Sequence, residues 1–272
     1  MSGKRLHPLK SNLKFDKVIL LSEDRNCNGP FLFGGIRMLE IIETVTMSPR
    51  QYKVVIEGMR NPMNSWGKSD TRCVGHYTVS GCDEFVMGDN DLVLMKNLAS
   101  LPPEHAKYRR MMPVWVTINA PLYWWKQFDT YQIGRVSNSC STMHRIASKP
   151  FVLSDFSHEH LTKDNPWRDK EAHRNCSGAE MLEKYVIPVL NHYRELYLET
   201  HSETHWWQMI QLLPSSYNQR RTVFLTYETL SNIFRQRKNH KLDEWHEFCD
   251  WIGTLPYPEL ITTEVRTDGI SR

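Results

Sequence analysis

Ser139, Cys140 and Ser141 set two hydroxyls and a thiol at consecutive positions, with Arg135 and His144 close by in the chain. Hydroxyls grouped in this way can donate to phosphate oxygens, and a hydrogen bond to a charged acceptor is roughly twice as strong as a neutral one. A thiol beside a guanidinium or an imidazolium gives up its proton more readily and can attack an electron-poor ring carbon. The plainer alternative is an unliganded polar turn with an inert thiol. Arg237 offers a planar fork of donors suited to a carbonyl or phosphate oxygen, or a solvated helix face beside Arg235 and Lys238. Tyr123, Trp124 and Trp125 present aromatic faces, on which a stacked base gains roughly 1–3 kcal/mol. Consecutive helix positions point in different directions, so at least one of the three belongs to a core or an interface. Arg109 and Arg110 could meet ligand phosphates or form a solvated basic turn. Cys73, His76 and Cys82 match no zinc spacing and lack a fourth ligand, so no metal is expected.

The elements that must position these groups follow from pattern. The apolar run Val18 to Leu21 closes a strand that starts near Phe15, and Tyr52 to Glu57 reads as a second strand from its Val-Val-Ile centre. Between them, Met38 to Thr44 looks helical. Gly58 to Gly88 is rich in Gly, Asn, Ser, Asp and Pro, the composition of a long loop. Leu92 to Leu98 is expected to be helical and Val114 to Ile118 a strand. Asn119-Ala120-Pro121 then starts a helix over Leu122 to Phe128. Ser177-Gly178-Ala179-Glu180 is a capping box that opens a helix, whose stripe runs through Leu182, Val186, Leu190 and Tyr197 with Pro188 as a possible kink. Further helices are expected over Trp206 to Leu212, Thr222 to Arg237 and Leu242 to Ile252. Thr262 to Arg272 is a polar tail.

A chain of 272 residues with 40% hydrophobic content can bury one large core, so residues 1–272 read as a single domain. The charge of +3, from 34 basic and 31 acidic residues, gives no reason to expect nucleic acid or a membrane surface as partner. There is no apolar run long enough to span a bilayer, and a cytoplasmic protein is expected. The six cysteines are irregularly spaced, which favours free thiols.

Two stretches resemble the flavin-dependent thymidylate synthases. From His105 to Met143, a histidine turn, a strand ending in Ala120-Pro121, a helix containing Lys126-Gln127 and the Ser137 to Ser141 segment follow the family's order. From Leu213-Pro214 to Trp245, a tyrosine, a helix, Arg237 and His240 resemble its substrate-binding region. The resemblance covers about residues 50–255; residues 1–50 match no part of it. It implies an α/β fold of the α+β type, with helices around a central antiparallel sheet, assembled as a homotetramer. It also implies reductive methylation of dUMP, or a related pyrimidine deoxynucleotide, with FAD as cofactor and methylenetetrahydrofolate and NADPH as co-substrates. The implied substrate residues are Asn138, Ser139, Ser141, Gln211 and Arg237, with Arg237 also a catalytic candidate; Cys140 is a second catalytic candidate on its thiol chemistry, apart from the resemblance. The implied FAD residues are His105, Arg109, Tyr131, Gln132 and Arg135. The signature Arg-His-Arg-x-x-Ser-x-Asn-Glu-x-Ser-x-Arg-Tyr is degenerate here. Thr130, Tyr131 and Gln132 stand at its Arg-His-Arg, Cys140 at its last Ser and Thr142 at its second-last position, where an arginine is expected. This departure keeps two other functions open: flavin-independent C5 modification through Cys140, and a non-catalytic nucleotide-binding or assembly protein.

Overall fold

The computed structural model describes residues 38–74, 84–171 and 174–266. The expected strand near Val18, together with His76 and Cys82, lies outside them. Eight strands are described: β1 (Glu40–Val45), β2 (Arg72–Val74), β3 (Glu84–Val86), β4 (Pro113–Pro121), β5 (Val136–Ser139), β6 (Trp167–Asp169), β7 (Arg174–Cys176) and β8 (Asn218–Thr226). The helices are α1 (Pro49–Arg60), α2 (Asp89–Ala99), α3 (Leu122–Phe128), α4 (Gly178–Glu180), α5 (Ile187–Thr200), α6 (Glu203–Leu212), α7 (Tyr227–Arg237), α8 (Asp243–Gly253) and α9 (Glu259–Thr262). One antiparallel sheet, in the order β1-β4-β8-β5, carries the architecture; β2-β3 and β6-β7 form two small hairpin sheets.

Alternation along the central strands separates two faces. Val114, Val116, Ile118 and Ala120 of β4 are buried, as are Val223 and Leu225 of β8. They pack against Trp124, Trp125 and Phe128 of α3, Leu230 and Ile233 of α7, and Trp245, Phe248 and Ile252 of α8. The other face bears Val45, Trp115 and Val136, which are 47%, 39% and 67% exposed. Trp115 meets Phe224 edge-on there at 5.4 Å, and Thr117 and Thr222 share a hydroxyl hydrogen bond. A second, smaller core of Phe151, Phe156, Leu182, Leu190 and Met209 joins the chain after β5 to the hairpin of α5 and α6.

Three sequence expectations are corrected. Met38 to Thr44 gives a strand rather than a helix, because β1 pairs with β4 from Glu40↔Asn119 to Val45↔Trp115. Tyr52 to Glu57 lies inside helix α1. Ser48 and Gln51 form a capping box ahead of Pro49, and Tyr52, Val55, Ile56 and Met59 are buried at helical spacing. The span Thr222 to Arg237 is divided: β8 runs to Thr226, whose hydroxyl then accepts from the Thr229 amide and starts α7. The expected helices over Leu92 to Leu98, Leu122 to Phe128, Trp206 to Leu212 and Leu242 to Ile252, and the strand over Val114 to Ile118, are present within a residue or a few of their expected limits. Ser177 caps as expected, its hydroxyl accepting from the Glu180 amide while the Glu180 carboxylate accepts from Ser177 N. Lys184 and this cap together hold the Glu180 carboxyl down at about 2. The turn from Met181 to Val186 is π-helical and leads into Pro188, which has no N–H to offer the ladder.

The loop-like stretch after α1 is ordered by one buried carboxylate. Asp91 of α2 accepts from Arg60 Nε (2.6 Å), Ser69 Oγ (2.7 Å) and the amides of Asp70 and Thr71. Burial raises the Asp91 carboxyl, but hydrogen bonds from Thr71, Ser69 and Arg60 outweigh it and leave the group below its usual value.

Candidate functional site

Arg237 sits at the last turn of α7, where its side chain reaches back over α3 and α8. Its Nε donates to the Tyr131 hydroxyl (2.8 Å) and its Nη1 to Gln127 Oε1 (3.3 Å). The guanidinium lies 4.8 Å from the Trp245 ring centre, and Trp245 Nε1 donates to the same Gln127 oxygen at 2.9 Å. Trp245 is itself wedged among Trp124 and Phe128 of the aromatic core. The arginine is thus a half-buried, oriented fork, and its Nη2 has no partner among the described residues. Arg235, two positions earlier, is exposed and among the described residues its side chain bonds Asn232. Beside the end of α7 an open cleft of about 530 Å³ is lined by Phe234, Lys238, His240, His246, Cys249 and Asp250, and Arg237 does not line it. Burial, and then the positive charge of Arg237, lower the His240 imidazole below its ordinary value.

The five residues assigned to FAD do not converge. Arg109 is buried, gives Nη1 to the Ala99 carbonyl at 3.3 Å and leaves Nε without a partner; burial lowers its pKa. Arg135 gives Nη1 to Asp129 at 2.9 Å and stacks over Phe128. Tyr131 is engaged with Arg237 and Gln236. His105 and Gln132 are exposed. Thr130, at the first position of the degenerate Arg-His-Arg, is neutral, and its hydroxyl donates to the Gln127 carbonyl. Within one chain Arg109 is buried, Arg135 is paired with Asp129 and Gln132 is neutral, so this set does not fit the anionic half of FAD.

The Ser139 to Ser141 turn leaves the edge of the sheet. Asn138 and Ser139 of β5 are exposed and pair with Thr222 and Arg221. Cys140 is an exposed free thiol, and its amide donates to the Arg220 carbonyl at 3.0 Å. The Cys140 carbonyl accepts from Gln219 Nε2, and Ser141 Oγ accepts from the His144 amide. Arg135, expected beside the thiol, is taken by Asp129, which also receives Arg221. Tyr217, near this turn, is pushed up to about 12 by burial and the neighbouring Asp155 and Cys140. Gln211 lies exposed on α6. No hydrogen bond or ion pair joins Asn138, Ser139, Ser141 or Gln211 to Arg237. Sequence reasoning missed Gln127 and Trp245, for which the usable signal was their place in the matching stretches.

No family model and no curated protein matches the chain. Solved structures do. Flavin-dependent thymidylate synthase ThyX from Helicobacter pylori, complexed with FAD and dUMP, superposes with a TM-score of 0.52 at 13% identity, over 85% of this chain and 100% of that one. The chain has the fold of this synthase. A second Helicobacter pylori ThyX structure with FAD and dUMP matches at 14% identity and a TM-score of 0.52, over 82% of this chain and 96% of that one. At such identity the ThyX likeness is one of fold, and function has to be argued from the side chains. Among the described residues, no helix is long and apolar enough to cross a membrane and no three His, Cys, Asp or Glu side chains are grouped to hold a metal.

Proposed function

We propose that this chain binds dUMP or a closely related pyrimidine deoxynucleotide, with Arg237 reading the uracil ring, in an enzyme of the thymidylate synthase type. The observation that carries the reading is the Arg237 fork. Oriented by Tyr131 and Gln127 and backed by Trp245, it keeps a donor free for a carbonyl oxygen, in the way a site holds donors ready where charge develops on a ring. Support also comes from the ThyX fold. The reading does not extend to the flavin, because of the FAD residues implied by the resemblance Arg109 is buried, Arg135 and Tyr131 are engaged by other side chains and Gln132 carries no charge. Methylenetetrahydrofolate and NADPH rest on the resemblance alone, and so does the homotetramer.

Calorimetric titration with dUMP tests the reading. Arg237→Ala should weaken binding by about 1.5–3 kcal/mol, the range for hydrogen bonds to charged groups, which is about 10-fold to 150-fold. Arg235→Ala should bind as the unmodified protein does, since it projects from another side of α7. Equal affinity in all three proteins would remove Arg237 from the site.

A further inference from the structure

We infer that the cleft between the α5-α6 junction and the chain that follows β5 is a binding site for a small cation carrying a quaternary ammonium group. The inference goes beyond the nucleotide reading and does not rest on it, since no residue of the Arg237 fork lines this cleft.

The cleft has a volume of about 460 Å³. One wall is the junction of the two helices. Helix α5 ends at His201, which has φ +52° and whose amide donates to the Tyr197 carbonyl at 2.8 Å. That reversal brings Glu203, Trp206 and Trp207, on the first two turns of α6, alongside Tyr197 on the last turn of α5. The opposite wall comes from the segment that runs from Met143 to Ala147. The walls are tied to each other: Trp206 Nε1 donates to the Met143 carbonyl at 3.0 Å, and Arg194 Nε of α5 donates to the Ala147 carbonyl at 3.0 Å. Tyr197 and Trp206 also pack on the smaller core, so their rings are held from behind.

The lining suits a cation. The Trp206 and Trp207 ring centres are 4.8 Å apart with planes 74° apart, which makes an aromatic corner, and Tyr197 supplies a third ring. The face of an aromatic ring carries the negative part of its quadrupole and attracts an ammonium group within about 6 Å of the ring centre. Glu203 is the one carboxylate in the lining, and no lysine or arginine lines it; Arg145 and Arg194 both lie outside. The carbonyl end of α5 adds partial negative charge on the same side. An anion such as a phosphate meets only repulsion from this set. Methyl groups on the nitrogen match the rings, Ile146 and Ala147, whereas the three N–H protons of a primary ammonium need acceptors that these surfaces lack.

The test titrates the full chain by calorimetry with choline and with the neutral alcohol in which carbon replaces the choline nitrogen. Choline should bind, and the alcohol should bind about 10-fold to 30-fold more weakly, the range that follows when a desolvated cation loses its contact with an aromatic face. Trp207 is 47% exposed, so Trp207→Leu should leave the thermal midpoint unchanged while it removes most of that preference. Glu203→Gln should weaken choline and leave the alcohol as it was. Arg237→Ala should bind choline as the unmodified protein does, which keeps the outcome separate from that of the nucleotide reading. Equal affinity for the two probes, no binding of choline, or a preference that survives both Trp207→Leu and Glu203→Gln overturns the inference. So does attachment to phosphatidylcholine vesicles without binding of free choline, because the occupant inferred is a free cation.

Discussion

The two faces of the central sheet are built from the same strands and solve opposite problems. On the helix side the aromatic rings of Trp124, Trp125, Phe128, Trp245 and Phe248 interlock, Asp129 receives Arg135 and Arg221, and Gln127 receives Arg237 and Trp245. On the other side Val45, Trp115 and Val136 meet solvent, and Arg220 and Asn138 are exposed. Adjacent residues of one strand, Arg220 and Arg221, are therefore an exposed arginine and a structural part respectively. The side of the pleat decides which, not the residue type.

This contrast can be broken most severely on the covered side. Trp124 has no exposed surface, so Trp124→Ala should cost about 3–5 kcal/mol in chemical denaturation. Trp115→Ala, which loses an edge-on aromatic pair on a half-open face, should cost less than about 1.5 kcal/mol. If the family-type homotetramer forms over the open face, Trp115→Glu should also lower the mass seen by light scattering. Equal stability losses for Trp124→Ala and Trp115→Ala would mean that the open face is not open in solution.

A smaller effect is expected from the ion pairs. Asp129→Ala strands two guanidinium groups whose side chains are only 12% and 14% exposed, and should cost about 1–3 kcal/mol, the range for orphaned buried donors. Arg220→Ala should leave denaturation unchanged, so the two variants together separate the locked from the free arginine.

The smallest effect concerns pH. The folded His240 titrates below its ordinary value of 6.5 because of burial and then Arg237. Between the folded and unfolded values the unfolded chain binds more protons, so stability rises with pH through a window that ends near 6.5. Above that window His240 contributes no further change. His240→Asn should flatten this rise in a series of thermal melts, and an unaltered slope would place its origin elsewhere.

Much of the covered face was legible in the sequence, because packing repeats. The Val114 to Ile118 strand, the Ser177 to Glu180 cap and the stripe of Leu242, Trp245, Cys249 and Ile252 each follow a period that burial imposes. Where local signals conflicted, the weaker-looking one prevailed. The β-branched run Val54-Val55-Ile56 suggested a strand, but Ser48-Pro49 and the spacing of Tyr52, Val55, Ile56 and Met59 are helical, and tertiary burial settled the competition. In Thr222 to Arg237 no glycine or proline marks the boundary; Thr226 does, through its hydroxyl, and a threonine within a β-favouring run gives little warning. The site was less legible because its parts come from separate elements, α3, α7 and α8. Arg109 and Arg237 look equally available in the sequence, yet one is sealed beneath the Ala99 carbonyl and the other stands over Trp245.

Gly134, in the turn that enters β5, has φ +69°, and a Cβ there would fall 2.7 Å from Thr229 Oγ1. The same Thr229 hydroxyl donates to the Ile133 carbonyl from the first turn of α7. The segment that delivers Asn138 and Cys140 is in this way latched to the base of the helix that ends in Arg237. This latch makes helix and edge strand parts of one opening unit, so a ligand that grips either end also restrains the other, across the seven residues from Gly134 to Cys140 and one helix, with no domain movement needed.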